Sequence, residues 1–257
     1  MTTGSGPDVV LLHGLGATHA SWTRTVQELS DYRCHAVDLP GFGESWPPPA
    51  AYRTTIAEQA EIVVDYLNAN KIASVRLVGH SMGGGVCLHI AEQLAKAGTS
   101  DRVAEIAFVA PALVAAQVFT SLSASFTGGA QEPGTLIAKA LLKRIYFDWE
   151  SVDDIDAYAA AYGVNFTLER TASLTAHTIN LGVNSNFALN FSSYEWPMLL
   201  FWGDDERVVE KTYNGSDLGE LRNAEVEEIE RCGHVPHEEH PGEVNPKIKA
   251  FFDGLPA

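Results

Sequence analysis

Short apolar segments alternate with amphipathic segments along most of this chain. These segments are five or six residues long, and most of them are rich in Val, Leu, Ile and Phe, which suits strands buried on both faces of a sheet. Between them, apolar residues recur every three or four positions, as in a helix that buries one face. The predicted strands span residues 9–13, 34–38, 75–79, 106–110, 198–203 and 226–230. We therefore predict an α/β fold with a doubly wound, mostly parallel sheet of about six strands.

Residues 112–196 interrupt this alternation, because they contain no strong strand pattern. Helix-like pieces lie at 136–145, 152–162 and 168–181, and the segment holds 12 of the 24 aromatic residues. This composition is typical of a helical insertion that needs its own apolar core and can also line an apolar pocket. We predict an α/β core made of residues 1–111 and 197–257, with a helical cap or lid at 112–196.

The net charge, the hydropathy and the cysteine content exclude several classes of partner and site. A formal net charge of −16 opposes binding to nucleic acid and to anionic membrane surfaces. No apolar stretch approaches the ~18 residues of a membrane span, and residues 1–7 lack the basic and apolar regions of a signal peptide. The three cysteines fit neither a disulfide framework nor a zinc ribbon. We expect a cytoplasmic protein that acts on a small molecule, without a membrane or nucleic-acid partner, and a homodimer remains open.

The most informative local sequence is Gly-His-Ser-Met-Gly-Gly at residues 79–84. It joins a predicted buried strand to a predicted helix, so Ser81 lies at a sharp turn between them. Gly79 and Gly83 let the strand and the helix approach closely, and the helix amino terminus favours negative charge beside the serine oxygen. A serine that merely caps a helix would explain the hydroxyl but not both glycines. We interpret Ser81 as a nucleophile on a strand-to-helix elbow.

A serine nucleophile needs a base to take its proton. The candidate is His234, because it follows the last predicted strand and Gly233 lets the loop turn over the sheet. His237 and His240 belong to the same His-x-x-His-x-x-His string, which could suggest metal ligands. No fourth ligand lies nearby in the sequence, so we predict no metal site.

The base in turn needs a carboxylate that orients it. This acid is expected after a buried strand, between Ser81 and His234. The strand that ends at Ala110 is followed by no acidic residue, whereas the strand at 198–203 is followed by three. The candidates are Asp204, Asp205 and Glu206.

Developing negative charge on a substrate oxygen needs two backbone N–H donors. One is predicted to come from Met82, directly after the nucleophile, and the other from Leu15, in the glycine-rich loop after the first strand. The predicted substrate contacts are His19, Phe119, Phe147 and Trp149. The chain contains neither a phosphate-binding loop nor a dinucleotide fingerprint, so we predict no cofactor.

Five motifs together resemble those of the α/β-hydrolase superfamily, and they follow the family order over nearly the whole chain. They are His-Gly-Leu-Gly at 13–16, Val-Asp-Leu-Pro-Gly-Phe-Gly-Glu-Ser at 37–45, Gly-His-Ser-Met-Gly-Gly at 79–84, Phe-Trp-Gly-Asp-Asp-Glu-Arg-Val-Val at 201–209 and Gly-His-Val-Pro-His-Glu-Glu-His-Pro at 233–241. Within the superfamily, the chain is most similar to small bacterial carboxylesterases, and to the branch that holds the biotin-pathway esterase and the menaquinone-pathway lyase.

The resemblance implies a catalytic triad of Ser81, His234 and an acid. It favours Glu206 as that acid, with Asp205 as the fallback if the register shifts by one residue. It also implies an oxyanion hole formed by Leu15 and Met82. The family's amino-terminal hairpin is expected to be reduced here, because the first buried strand already begins at Val9.

Three functions fit these features. The first is a serine esterase that cleaves an apolar or aromatic ester, thioester or lactone through an acyl-enzyme. The second is a lyase or a C–C bond hydrolase that uses the same triad, since the histidine can also deprotonate a substrate directly. The third is a ligand receptor built on the same fold.

Overall fold

A computed structural model describes residues 1–49, 52–53, 55–113, 134–184, 194–209 and 223–254. Within these ranges, seven strands form one sheet, with the strand order β1-β3-β2-β4-β5-β6-β7. The strands are β1 Thr2–Thr3, β2 Asp8–Leu12, β3 Arg33–Val37, β4 Val75–His80, β5 Val103–Val109, β6 Met198–Gly203 and β7 Ala224–Ile229. All neighbouring pairs are parallel except β1 and β3, which are antiparallel.

The predicted fold class is confirmed. Each of the six predicted strands is present, with boundaries that agree to within three residues. The additional strand is β1, which consists of two exposed threonines paired with His35 and Cys34. It carries no apolar alternation and was therefore not predicted. It pairs antiparallel with β3, at the position where a reduced amino-terminal hairpin was expected.

Helices cover both faces of the sheet. They are α1 Thr23–Glu28, α2 Ile56–Ala69, α3 Met82–Lys96, α4 Gly134–Ile145, α5 Ile155–Gly163, α6 Leu168–Asn184, α7 Pro236–Glu239 and α8 Pro241–Phe252. The amino terminus of α2 is capped, since Thr55 Oγ1 accepts a hydrogen bond from the Glu58 N–H at 3.2 Å. The reciprocal bond of a capping box is displaced, because the Glu58 carboxylate binds the N–H of Arg53.

Alternate residues of the central strands enter two separate cores, as the period of two in a strand requires. In β2, Val10 and Leu12 pack in the cluster that contains α2 and α3. Val9 and Leu11 pack in the opposite cluster, with Trp22 and the apolar residues of α8. The strands are therefore buried on both faces, which explains their nearly continuous apolar sequences.

The segment between β5 and β6 contributes α4, α5 and α6, and its described part contains no strand. Helices α4 and α5 pack against each other. An ion pair between Arg24 and Asp154, 2.7 Å long, joins the turn before α5 to α1. Residues 114–133 and 185–193 of the predicted cap lie outside the described residues, so the cap at 112–196 stays a prediction. None of the helices in the described ranges is long and apolar enough to cross a membrane.

Candidate active site

Ser81 occupies a strained turn at the carboxyl edge of the sheet. It lies alone between the end of β4 and the start of α3, with φ 50° and ψ −116°. A positive φ at a residue other than glycine costs about 1–3 kcal/mol and persists only where the surroundings enforce it. Three backbone hydrogen bonds do so here: the Ser81 N–H donates to Val109 O at 3.0 Å, and Ser81 O accepts from Gly84 N at 3.0 Å and Ala112 N at 2.8 Å.

The glycines around Ser81 permit close contact between three backbone segments. A Cβ atom on Gly79 would lie 2.6 Å from the carbonyl oxygen of Gly83. A Cβ atom on Gly83 would clash with the carbonyl oxygen of Leu12 and lie 2.8 Å from that of His13. The start of α3 therefore packs directly against the end of β2, and only glycine fits at the contact.

His234 follows β7, and its ring is bonded to Glu206. The distance from His234 Nδ1 to Glu206 Oε2 is 2.7 Å, and 4% of the His234 side chain and none of the Glu206 side chain is exposed. The His234 backbone is also fixed, because its N–H donates to Ile145 O at 2.7 Å and its carbonyl accepts from His80 Nε2 at 3.0 Å. A carboxylate on Nδ1 holds the proton there and leaves Nε2 as a proton acceptor.

Glu206 is held as an anion. Burial by itself raises its pKa, but the charge of His234, the hydrogen bond to His234 and two backbone bonds outweigh burial, so the pKa lies below its ordinary value. The backbone bonds come from the N–H groups of Val208 and Val209, which donate to Oε1 at 2.6 and 3.1 Å. The oxygen that faces His234 is thus not the one that the loop holds.

The two neighbouring acids bind elsewhere. Asp204 Oδ1 accepts a hydrogen bond from the Cys232 N–H at 3.1 Å. The fallback acid Asp205 forms an ion pair with Arg207. Of the three acids that the sequence left open, the structure therefore brings Glu206 to the histidine.

Ser81 and His234 line one cavity, called here the Ser81 cavity, which encloses about 560 Å³ including its open mouth. Leu15 and Ala17 contribute to one wall, and Leu141 and Ile145 of α4 to another. Polar groups at the wall include Tyr162, His80 and Glu238. The cavity lies at the carboxyl edge of the parallel strands, the usual place for ligands in open α/β sheets.

The two predicted oxyanion donors both lie next to this site. Leu15 lines the Ser81 cavity, in the loop that follows β2. Met82 is the first residue of α3, so its N–H has no acceptor within the helix. Their role as donors remains a proposal.

Three of the four predicted substrate contacts lie among the described residues, and all three lie outside the Ser81 cavity. His19 is bound to Asp38, with its N–H 2.6 Å from Oδ1 and its Nδ1 2.9 Å from Oδ2. Phe147 is 39% exposed, and Trp149 lies against the Lys143 ammonium, 4.0 Å from its ring centroid. None of these three is among the residues that line the Ser81 cavity. Phe119 lies outside the described residues.

The reason for this difference is long-range pairing that the sequence did not reveal. Asp38, at the end of β3, is buried and therefore needs partners, and His19 supplies two of its hydrogen bonds. Phe147 and Trp149 lie at the end of α4, beside basic side chains at the surface. Aromatic content alone did not distinguish these rings from those that line a pocket.

The histidine string does not converge on a common point. His237 is buried and stacks on Trp22, with ring centroids 4.3 Å apart. His240 Nε2 instead lies 3.1 Å from the Arg231 carbonyl oxygen. No group of three or more His, Cys, Asp or Glu side chains that could hold a metal ion occurs within the described ranges.

Sequence reasoning missed two functional neighbours of His234. Glu239 accepts hydrogen bonds from the N–H groups of Gly233 and Val235, both at 3.0 Å, and so fixes the loop that carries His234. Glu238 is buried at the wall of the Ser81 cavity and accepts hydrogen bonds from Tyr146 and Tyr162. Both acids lie in a charged string that resembles a solvated surface segment.

The sequence matches the family described as having the alpha/beta hydrolase fold over residues 7–241. It is 27% identical over 264 residues to Lipase 1 of Psychrobacter immobilis, a match that covers 98% of this chain and 79% of the lipase. It is 42% identical over 90 residues to the pimeloyl-[acyl-carrier protein] methyl ester esterase of Vibrio cholerae, covering 35% of this chain and 32% of that protein. For some curated relatives, the matched region covers less than a third of the relative's length.

Solved structures agree with the fold. The 2-hydroxy-6-oxo-6-phenylhexa-2,4-dienoate hydrolase of Rhodococcus sp. strain RHA1 superposes with a TM-score of 0.83 at 23% identity, covering 98% of this chain and 93% of that one. At this identity the likeness concerns the fold alone. Because the family match extends over most of the sequence and the sheet has the same architecture, this chain belongs to the α/β hydrolase fold family.

Proposed function

We propose that the protein is a serine esterase that hydrolyses carboxylic esters, thioesters or lactones through an acyl-enzyme. The observation that carries this proposal is the buried pair between Glu206 and His234, 2.7 Å long, beside the cavity that also holds the strained Ser81. A buried carboxylate bound to a histidine, next to a serine in a disfavoured backbone conformation, has little purpose in a purely structural site.

In this mechanism, Ser81 Oγ attacks the ester carbonyl carbon and His234 Nε2 takes the hydroxyl proton. The N–H groups of Leu15 and Met82 bind the oxyanion of the tetrahedral intermediate. His234 then gives the proton to the alcohol oxygen as the C–O bond breaks, which leaves an acyl group on Ser81. Water, deprotonated by His234, attacks this acyl group. The bond between the acyl carbon and Ser81 Oγ then breaks as His234 returns the proton to Oγ, which releases the carboxylic acid and regenerates the serine.

The electrostatics of the site support these roles. Glu206 is an anion and stabilises the imidazolium that forms on His234 at each step. The amino terminus of α3 adds partial positive charge beside Ser81, where negative charge develops. Both effects act in a mostly apolar cavity, in which electrostatic interactions are stronger than in water.

The substrate class follows from the walls of the Ser81 cavity and from the relatives. Leu15, Leu141, Ile145 and Val208 favour an ester of small to medium size with an apolar part. Two relatives are named as a lipase and as a methyl ester esterase, which supports ester chemistry for this chain as well.

Replacement of the nucleophile tests the proposal. Ser81→Ala is expected to lower kcat/KM for p-nitrophenyl butanoate by about 10⁴-fold or more, since the variant lacks the hydroxyl that forms the acyl-enzyme in the proposed mechanism. The matched control Ser151→Ala removes an exposed hydroxyl that donates to Asp148 O, and is expected to stay within about two-fold of the wild type.

A second measurement identifies the intermediate. Rapid quenching during turnover of the wild type is expected to give a mass increase of one acyl group on the peptide that contains Ser81. Near-native turnover by Ser81→Ala would disprove the proposal. Turnover of a substrate by the wild type without any acylated serine would point to the lyase or C–C bond chemistry instead.

A further inference from the structure

Glu238 is a buried acid at the wall of the Ser81 cavity that the proposed reaction does not use. It lies in α7, four residues after His234, and is 3% exposed. Its Oε2 accepts a hydrogen bond from Tyr146, which follows α4, and its Oε1 accepts one from Tyr162 of α5. Tyr162 and Glu238 both line the cavity, next to Ser81 and His234.

The carboxyl group has more bonding capacity than the protein uses. Each carboxylate oxygen has two acceptor positions, and one tyrosine occupies one position on each oxygen. Burial of a carboxyl group among apolar side chains is costly unless it is hydrogen-bonded, and a leucine would fill the same wall without that cost. A polar group retained at the wall of an otherwise apolar pocket is typical of a site that orients a ligand.

Among the described residues, the groups that face Glu238 include no cation. They are Tyr146, Tyr162, Tyr158, Glu239 and His237, whose Nε2 lies 3.7 Å from Oε1. Burial raises the pKa of Glu238 to about 8, against the lowering effect of the two tyrosine hydroxyls. The pKa of His237 is lowered to about 3 by burial, so this ring is neutral as well. Burial therefore favours the protonated, uncharged form of Glu238, beside two tyrosine hydroxyls and a neutral imidazole.

We propose that Glu238, together with Tyr162, binds a hydroxyl group of the substrate and thereby selects hydroxylated esters. The inference rests on the proposed esterase function and names its substrate class. A hydroxyl group both donates and accepts, so it can bind the carboxyl group in either protonation state. A keto oxygen can only accept a hydrogen bond, so it needs the protonated acid. An ammonium needs the ionised acid as its counter-charge, and a substrate carboxylate would carry an unpaired charge into the cavity.

A matched set of ethyl esters of six-carbon acids tests the proposed preference for hydroxylated substrates. Ethyl hexanoate is compared with its 3-, 5- and 6-hydroxy derivatives, with ethyl 5-oxohexanoate, with monoethyl adipate and with ethyl 6-aminohexanoate. For a hydroxyl group on the alcohol side, 4-hydroxybutyl butanoate is compared with pentyl butanoate. Acid release is followed in a pH-stat at pH 7, and kcat/KM is obtained for the wild type, Glu238→Leu, Glu238→Gln and Tyr162→Phe.

The diagnostic quantity is the ratio of kcat/KM between a hydroxylated ester and its parent. In Glu238→Leu this ratio is expected to fall by about ten-fold or more for at least one hydroxyl position, because the hydroxyl then lacks its carboxyl partner. Glu238→Gln keeps a group that both donates and accepts, and is expected to retain most of the preference. Tyr162→Phe is expected to weaken it.

A merely structural role for Glu238 would give a different pattern. Loss of the bonds to Tyr146 and Tyr162 would then lower the melting temperature and reduce kcat/KM for all esters in proportion, with unchanged ratios. Unchanged ratios at every hydroxyl position would overturn the inference, and so would a wild-type preference for the keto, carboxylate or amino ester. If Glu238→Leu does not fold, the ratios in Glu238→Gln and Tyr162→Phe decide in the same way.

The parent ester separates this inference from the proposed function. If the wild type hydrolyses ethyl hexanoate and its hydroxylated derivatives with the same kcat/KM, the protein is an esterase in which Glu238 does not select for a substrate hydroxyl group. A wild type that hydrolyses none of the esters contradicts the proposed function itself.

Discussion

The two oxygens of the Glu206 carboxylate bind different groups, and this division fixes the histidine. Oε1 accepts the N–H groups of Val208 and Val209, while Oε2 lies 2.7 Å from His234 Nδ1. The carboxylate cannot rotate toward solvent without losing both backbone bonds. The ring of His234 is therefore held in one orientation and one tautomer, as proton transfer at Nε2 requires.

Glu206→Gln tests this arrangement at the scale of one residue. The amide retains the shape of the side chain but lacks the charge, and it can turn its NH₂ group to His234 and stabilise the wrong tautomer. We expect kcat for p-nitrophenyl butanoate to fall by about 10²-fold or more, with a smaller change in KM.

Asp205→Asn is the matched control for this prediction. Asp205 is the adjacent acid, but it binds Arg207 at the surface of the loop. The variant is expected to keep kcat within about two-fold of the wild type. Equal losses in the two variants, or a larger loss in Asp205→Asn, would show that the loop rather than the Glu206 carboxylate is responsible.

These residues also show how far a sequence can specify a site. Ser81 and His234 stand out because their local context, a strand followed by a glycine-rich turn, is visible in the sequence. The choice among Asp204, Asp205 and Glu206 depends on the path of a loop in three dimensions, which three adjacent acids do not encode. The burial of Glu238 was hidden for a related reason, since its tyrosine partners lie 92 and 76 residues away in the chain.

At the scale of elements, the site depends on the packing of α3 against β2 and β4. β4 is the central strand, with β2 and β5 as its neighbours, so its carboxyl end is enclosed on both sides. Helix α3 begins there at Met82 and is buried along most of its first three turns. The strained conformation of Ser81 is therefore enforced by the packing of α3 and β4 as well as by the turn itself.

Gly83→Ala tests this packing. The new Cβ would collide with the backbone carbonyl of Leu12, which cannot move without shifting β2. We expect the free energy of unfolding in urea to fall by about 1–3 kcal/mol or more.

Gly242→Ala provides the control. Gly242 lies in the first turn of α8, and a Cβ there would meet no atom within 4 Å. Alanine is the better helix former, so this variant is expected to be as stable as the wild type or slightly more stable. If Gly83→Ala proved equally harmless, the close contact between α3 and β2 would not be what holds the elbow.

The elements themselves follow from the sequence to different degrees. The central strands β2, β4, β5 and β6 were predictable because burial on both faces imposes long apolar runs, whereas most of β7 is not buried. β1 was not, because its two exposed threonines form a strand only through pairing with β3. The helices between β5 and β6 were recognisable by their periodicity, but the partners of their aromatic side chains were not, since an apolar ring fits a small core and a pocket equally well.

At the scale of the whole molecule, buried titratable groups link stability to pH. Burial lowers the pKa of His177 to about 4 and that of His237 to about 3. Above these values the folded protein keeps the rings neutral, whereas in the unfolded chain they take up protons near pH 6.5. The unfolded state binds more protons in this interval, so these histidines make the protein less stable as the pH falls below about 6.5.

Glu238 acts in the opposite direction. Its pKa of about 8 in the folded protein lies above the ordinary value of 4.5. Between these two values the folded state holds a proton that the unfolded state has lost, so stability decreases as the pH rises through this interval. Near neutral pH, the buried histidines and Glu238 therefore change the stability in opposite directions as the pH falls. Each contribution can be removed by its own substitution.

His237→Phe isolates the contribution of one buried imidazole. Phenylalanine can retain the stacking on Trp22, and neither ring nitrogen of His237 has a hydrogen-bond partner among the described residues, so the substitution is expected to cost little at pH 7. Between pH 7 and pH 5, the free energy of unfolding should fall by about 2 kcal/mol less in the variant than in the wild type. Glu238→Gln should have the opposite effect, because it removes a group that stabilises the protein as the pH falls. Urea unfolding at both pH values gives the free energy of unfolding of all three proteins. If it falls by the same amount between pH 7 and pH 5 in each of them, neither side chain links stability to pH.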